Sequence, residues 1–117
     1  MGKHPQPPLL GEVEQLVLLA VLRLGEEEAY AVPIRDLILR ETGVDTSRGT
    51  IYVTLERLER KGYVTSWFSA AQAVRGGKAR RHFRLKPPGI AAVRAAKRAV
   101  DRLAAGTIIL TPRGKER

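Results

Sequence analysis

Between residues 12 and 24, apolar side chains recur at Val13, Leu16, Val17, Ala20 and Leu24, the three-to-four spacing of a helix. Leu18, Leu19, Val21 and Leu22 fill the gaps, so this helix is apolar nearly all round and is expected to be buried on more than one side. In a chain this small, that means its own core on one side and a second subunit on the other. After the acidic loop Gly25-Glu-Glu-Glu28, a second helix is expected from Ala31. Pro33 is tolerated in its first turn, Ile34, Leu37 and Ile38 share one face, and Gly43 stops it. Val44 to Ser47 reads as a turn ending on Ser47 as N-cap, whose oxygen can take the free amide of Thr50. A third helix then runs to Lys61, with Ile51, Leu55 and Leu58 inward and Gly62 as its stop. Gly49, Thr50, Val53, Arg57 and Arg60 fall on the opposite face, and Tyr52 lies at the border.

The pattern then changes period. Tyr63 to Phe68 is rich in aromatic and β-branched residues and predicts a strand, and Arg81 to Lys86 predicts a second, with Phe83 and Leu85 on one side. The intervening residues contain Gly76-Gly77, which makes the pair a long-loop β-hairpin. Pro87-Pro88 suits the first turn of a last helix reaching about Leu103, with Ile90, Val93, Val100 and Leu103 as a narrow apolar stripe among alanines. Such a stripe suits close packing against another helix; the simpler alternative is a helix lying on its own domain. The domain plan is therefore a flexible N-terminal arm over 1–8, which Pro5, Pro7 and Pro8 keep from being helical, a helix-and-hairpin unit over 9–86, a C-terminal helix over 87–105 suited to dimerisation, and a short basic tail over 106–117.

Charge adds a partner to this plan. The 117 residues carry 21 Lys+Arg against 12 Asp+Glu, a net +9, but residues 1–46 sum to −4 and residues 47–117 to +13. Six cations and no acid lie between Arg75 and Lys86: Arg75, Lys78, Arg80, Arg81, Arg84 and Lys86. A run of cations alone is often a solvated loop. Here it falls on a hairpin that follows a capped helix, and the order helix, helix, capped helix, basic hairpin, helix is that of a winged helix-turn-helix. The fold class expected is mainly α with a small β-hairpin. The third helix would enter the major groove of double-stranded DNA, with Thr46, Ser47 and Arg48 at its N-terminus, where free amides favour phosphate. The hairpin is then the wing, with Arg75, Lys78, Arg80 and Arg81 along the backbone or in the minor groove.

Several classes are excluded or weakened. With no cysteine and only His4 and His82 for imidazole, a metal site lacks ligands, and no nucleophile–base pair suggests an enzyme, so no catalytic residue and no cofactor are expected. Gly76-Gly-Lys78 lacks the P-loop spacing. The longest apolar run, Leu16 to Leu22, is too short for a membrane span and the N-terminus lacks a signal-peptide layout, so no membrane association and a cytoplasmic location are expected. Trp67 reads as structural rather than as part of a ligand pocket. Arg48 and Arg57 read as phosphate or base contacts, whereas for Lys61 contact and solvation are evenly balanced. An RNA-binding module or a winged helix used as a protein adaptor remains the alternative. RNA readers usually expose several stacking aromatics, however, and this chain has six aromatic rings, most of them needed for its core.

Leu10-Gly-Glu through Leu24-Gly25, Ala29-Tyr30, Gly49-Thr-Ile-Tyr52, Leu55-Glu-Arg-Leu-Glu-Arg-Lys-Gly62, the wing stretch Arg75 to Leu85 and Pro88-Gly89 together resemble the PadR family of transcriptional regulators over about residues 9–104. The resemblance implies a homodimeric, mostly repressing DNA-binding protein, with Ser47, Thr50 and Tyr52 on the DNA side of the recognition helix, Tyr30 near the backbone and Gly76-Gly77-Lys78 at the wing. It also implies a small aromatic effector near the dimer interface, as some members have. The expected DNA contacts are thus Tyr30, Thr46, Ser47, Arg48, Thr50, Tyr52, Val53, Arg57, Arg75, Lys78, Arg80 and Arg81, and the expected dimer contacts are Leu16, Leu19, Ile90, Val93, Val100 and Leu103. Three positions depart from the family pattern: Ala31 stands where glycine is common, Val53 where proline is common, and Lys86 where threonine usually opens the last helix. The missing capping oxygen is worth about 1 kcal/mol, so that helix is expected to fray at its start. The run Thr107-Ile-Ile-Leu110 carries no assigned role.

Overall fold

In a computed structural model, which describes residues 9–69 and 79–107, the chain forms α1 (Glu12–Leu24), α2 (Ala31–Thr42), α3 (Arg48–Arg60), β1 (Val64–Phe68), β2 (Arg81–Leu85) and α4 (Pro87–Ala104). The start of α1 is set by Gly11, whose amide donates to the Glu14 carboxylate at 3.0 Å, the half of a capping box that needs no hydroxyl. α2 ends at Gly43, and α3 opens on Ser47, whose Oγ accepts the Thr50 amide at 3.1 Å as expected. β1 and β2 pair antiparallel, with Val64 opposite Leu85, Ser66 opposite Phe83 and Trp67 opposite His82.

The core forms where the three helices and one face of the hairpin meet. Leu18 from α1, Ile34 from α2, Ile51, Leu55 and Leu58 from α3, and Phe83 from β2 are all fully buried. Phe83 also donates its amide to the Ala29 carbonyl at 2.9 Å, which fastens the hairpin to the chain just ahead of α2. Each such side chain contributes roughly 1.5–3 kcal/mol by leaving water. That burial fixes how far the outer face of α3 stands proud of the domain.

The hairpin root is tight at two glycines. Gly62 has φ of 82°, a left-handed backbone that L side chains rarely adopt, and it turns the chain from α3 into β1. Gly89 is buried in the first turn of α4, and a Cβ placed there would collide with the Tyr63 carbonyl oxygen. The Lys86 amide donates to the same carbonyl at 2.9 Å. The start of α4 is therefore seated directly on backbone. No side chain caps it, but Pro87 and Pro88 have no N–H to satisfy, and the Gly89 amide reaches the Lys86 carbonyl at 2.8 Å. The threonine absent from position 86 thus has little left to cap, and the helix starts at Pro87 without it.

α4 outruns its own domain. At 1.5 Å per residue its 18 residues span about 27 Å. Gly89, Val93 and Ala96 are buried, whereas Val100 and Leu103, further along the same face, are 57% and 86% exposed. The first half of the helix lies on its own domain, as the simpler alternative has it, and the second half extends past the described residues of that domain. Among the described residues no helix is long and apolar enough to cross a membrane. The 107–110 run lies outside them from residue 108 onward.

Candidate nucleic-acid interface

Ser47, Arg48, Gly49, Thr50, Tyr52, Val53, Arg57 and Arg60 are all exposed along α3 and its cap. The turn that delivers them is held from behind. Arg35 of α2 donates to the Thr46 carbonyl at 2.9 Å and to the Asp45 carboxylate at 2.9 Å. Thr46 itself is buried, so it stands behind the cap while Ser47 and Thr50 stand in front. Ser47 Oγ also donates to Thr50 Oγ1 at 3.0 Å.

The charge on this face follows from where the acids go. Glu56 and Glu59 are the only acids of α3, and both face Arg81 of β2: Glu59 at 2.6 Å and Glu56 at 3.5 Å, with Ser66 donating to Glu59 as well. Arg48, Arg57 and Arg60 have no ion pair within 4 Å among the described residues. The outer face of α3 is therefore positive although the helix is nearly balanced in sequence. Arg81 is drawn onto α3 and pins the hairpin to it, leaving Arg80 as the exposed wing cation of the pair. Arg75 and Lys78 lie outside the described residues.

Arg80 stacks over the Tyr30 ring, with its guanidinium carbon 4.7 Å from the ring centroid. Tyr30 in turn lies 5.3 Å from the His82 ring, and His82 stacks on Trp67 at 5.8 Å. Arg84 lies over the other neighbour, Trp67, at 5.7 Å, and pairs with Glu26 at 3.0 Å. The buried His82 places Nδ1 2.9 Å from the Glu26 carbonyl, which can only accept, so Nδ1 carries the proton. Tyr30 and the wing are thereby joined in one stack, to which Trp67 belongs.

The far end of α3 is anchored to α1. Lys61 donates to Glu14 at 2.8 Å, and Glu14 is almost fully buried. Burial alone raises its carboxyl. The hydrogen bond from Lys61, the Gly11 amide and the charges of Lys61 and Arg57 outweigh that and hold it below the ordinary glutamate value. Sequence reading missed the Glu14, Arg35 and Asp45 contacts because partners 10 to 47 residues apart leave no periodic trace. Val13 packs against the core as its spacing predicts, and its remaining surface lines a shallow hollow with Gly49, Thr50, Val53 and Arg57.

The expected dimer residues fall in two places. Leu19, Ile90, Val93 and Val100 line one trough of about 380 Å³ between α1 and α4, together with Leu22, which is 51% exposed. Leu103 projects beyond it, and Leu16 lines a smaller hollow between α1 and α2. Val93 is itself buried in its own core.

A curated transcriptional regulator of Mycobacterium tuberculosis is 42% identical over 66 residues, which is 56% of this chain and 58% of the relative, so the match spans little more than half of that protein. A transcriptional regulator from Clostridium thermocellum has a similar fold, with a TM-score of 0.68 at 20% identity over 86% of this chain and 93% of its own. A PadR family regulator from Eggerthella lenta superposes with a TM-score of 0.62 at 25% identity over 86% of this chain and 88% of its own. Residues 18–95 match the profile of the transcriptional regulator PadR-like family, and the chain belongs to that family of regulators, which are not enzymes.

Proposed function

We propose that this regulator acts as a homodimer that binds double-stranded DNA at a pseudo-palindromic operator and represses transcription there. The observation that carries the reading is the outer face of α3, where Arg48, Arg57 and Arg60 make no ion pair within 4 Å among the described residues while the two acids of the helix face Arg81. Ser47, Arg48, Thr50, Tyr52, Val53 and Arg57 meet the major groove, and Thr46 supports them from behind. Arg80, Arg75 and Lys78 meet backbone phosphate, and Tyr30 shares the same strand of phosphates through its stack with Arg80. Arg81 acts by holding the wing to α3.

The second subunit is supported by the uncovered apolar surface of Leu19, Leu22, Val100 and Leu103. Isolated exposed apolar side chains are ordinary, but three leucines and a valine on one continuous trough and helix end support an interaction surface. Two copies joined through α1 and α4 present two reading helices to half-sites about one helical turn, 34–36 Å, or a multiple apart. The α1–α4 trough is also the place on this chain for a small aromatic effector.

The test is a fluorescence-anisotropy titration of promoter duplex, random duplex and structured RNA over a salt series, with sedimentation for subunit number. A dimer that prefers the promoter duplex is the expected result. A monomer, or equal binding to all three, overturns the reading. Removing the charges of Arg75 and Lys78 together should lower the salt slope by roughly two units, about 0.9 for each lost phosphate contact. An unchanged slope removes them from the interface.

A further inference from the structure

We propose that the centre of the α3 outer face seats the 5-methyl group of a pyrimidine, so that this protein reads its operator in part through a methyl rather than through a hydrogen bond. The inference rests on the DNA reading above and names what that face recognises. α3 contains no asparagine or glutamine, the side chains that read adenine in pairs of hydrogen bonds, and its arginines lie at Arg48, Arg57 and Arg60, toward the two ends. The middle is held by Val53, more than half exposed, with Val13 of α1 beside it in the same hollow. Thr50 also lines that hollow; its hydroxyl accepts from Ser47 and keeps its own O–H, so it offers the groove a donor beside its methyl. Gly49 adds room: a Cβ there would come no nearer than 3.9 Å to Ser47, so the backbone is open to a close approach from outside.

Val53 and the exposed part of Val13 form an apolar patch, bordered by Arg57, that gains by covering another apolar group. The major groove offers one such group, the 5-methyl of thymine, and 5-methylcytosine offers the same group on a different base pair. A polar base edge pressed against Val53 and Val13 would instead lose its water without replacement. The hollow therefore favours a methylated pyrimidine over uracil or cytosine at the position Val53 meets. Covering one methyl is worth a factor of about three to five in affinity, and the two half-sites of a dimer raise this to roughly ten- to twentyfold.

The experiment begins with duplexes enriched by the full-length protein from a random pool. Each thymine of the half-site is replaced in both halves by deoxyuridine, which lacks only the methyl, and binding is followed by anisotropy. One symmetric pair of positions should lose about tenfold, and that loss should shrink to twofold or less with Val53→Ala, whose circular dichroism and melting report that the exposed site tolerates the change. At the same positions, exchange of thymine for cytosine and then for 5-methylcytosine separates the sources. Recovery with 5-methylcytosine assigns the methyl alone, and no recovery assigns thymine with its carbonyl. Enrichment without any uracil-sensitive position, or a uracil effect that Val53→Ala leaves intact, overturns the inference while the DNA reading stands. Failure to enrich any duplex overturns both.

Discussion

Replacing Glu14 by glutamine removes one charge and almost no volume, and it tests how the reading helix is held. In the native chain the carboxylate takes the Gly11 amide at 3.0 Å and the Lys61 ammonium at 2.8 Å, tying the start of α1 to the end of α3. A hydrogen bond to a charged group contributes about 1.5–3 kcal/mol, and the lower end applies because the Lys61 side chain is 42% exposed. A loss of about 1.5 kcal/mol lowers the melting temperature of a domain this size by roughly 6–12 °C. The effect carries a pH signature. The Glu14 carboxyl is held below its ordinary value, so its stabilisation is complete above the unfolded-state value near 4.3 and disappears as pH falls through the lower folded-state value. Urea unfolding of both proteins from pH 7 to pH 3.5 should show the widest gap at neutral pH and a narrowing gap below about pH 4. A gap that is absent at pH 7, or constant down to pH 3.5, refutes the reasoning. A cycle with Lys61→Met isolates the pair, and the two single losses should sum to more than the double loss.

Gly89→Ala forces a methyl into the Tyr63 carbonyl and should destabilise the fold by about 3 kcal/mol, the upper end of overpacking penalties, in a thermal or urea melt. Gly49→Ala should act in opposite directions on stability and binding. Helix propensity favours alanine by up to about 1 kcal/mol in a space with no close neighbour, while the added methyl stands between α3 and DNA, so a higher melting temperature with weaker duplex binding is expected. Leu103→Glu, at a position 86% exposed, should leave the melting of a dilute monomer nearly unchanged and shift sedimentation toward monomer. Arg81→Met should free Glu56 and Glu59, lower the positive potential of the α3 face and weaken binding to all duplexes alike, measured by anisotropy against random DNA.

Periodicity carries the helices well because burial is what creates it. Helix one is read at Glu12–Leu24 and found there, and the Ser47 cap is found as drawn. The third helix stops one residue early, at Arg60, and β1 starts at Val64 rather than Tyr63, because the Tyr63 amide is taken by the Leu58 carbonyl at 2.9 Å as α3 closes. β2 ends at Leu85 because Lys86 already serves as the N-cap of α4. The candidate interface is legible as a set of exposed positions on one helix, but its sign is not. Glu56 and Glu59 look like neutralising neighbours along the chain, and only the fold turns them toward Arg81. Glu14 is buried, and nothing local in the sequence marks it, since its partner Lys61 lies 47 residues away. The stripe of Ile90, Val93, Val100 and Leu103 reads as continuous, and the structure divides it where the domain beneath it ends.

The seat of α4 on the Tyr63 carbonyl has a mechanical meaning. Gly89 leaves no compressible side chain between the helix and the base of the hairpin, so tilting α4 must carry the wing root with it. In the proposed dimer the free half of the same helix is gripped by the other subunit. In that dimer the spacing of the two reading heads would follow the tilt of α4, with Gly89 as the point where the helix meets the hairpin root.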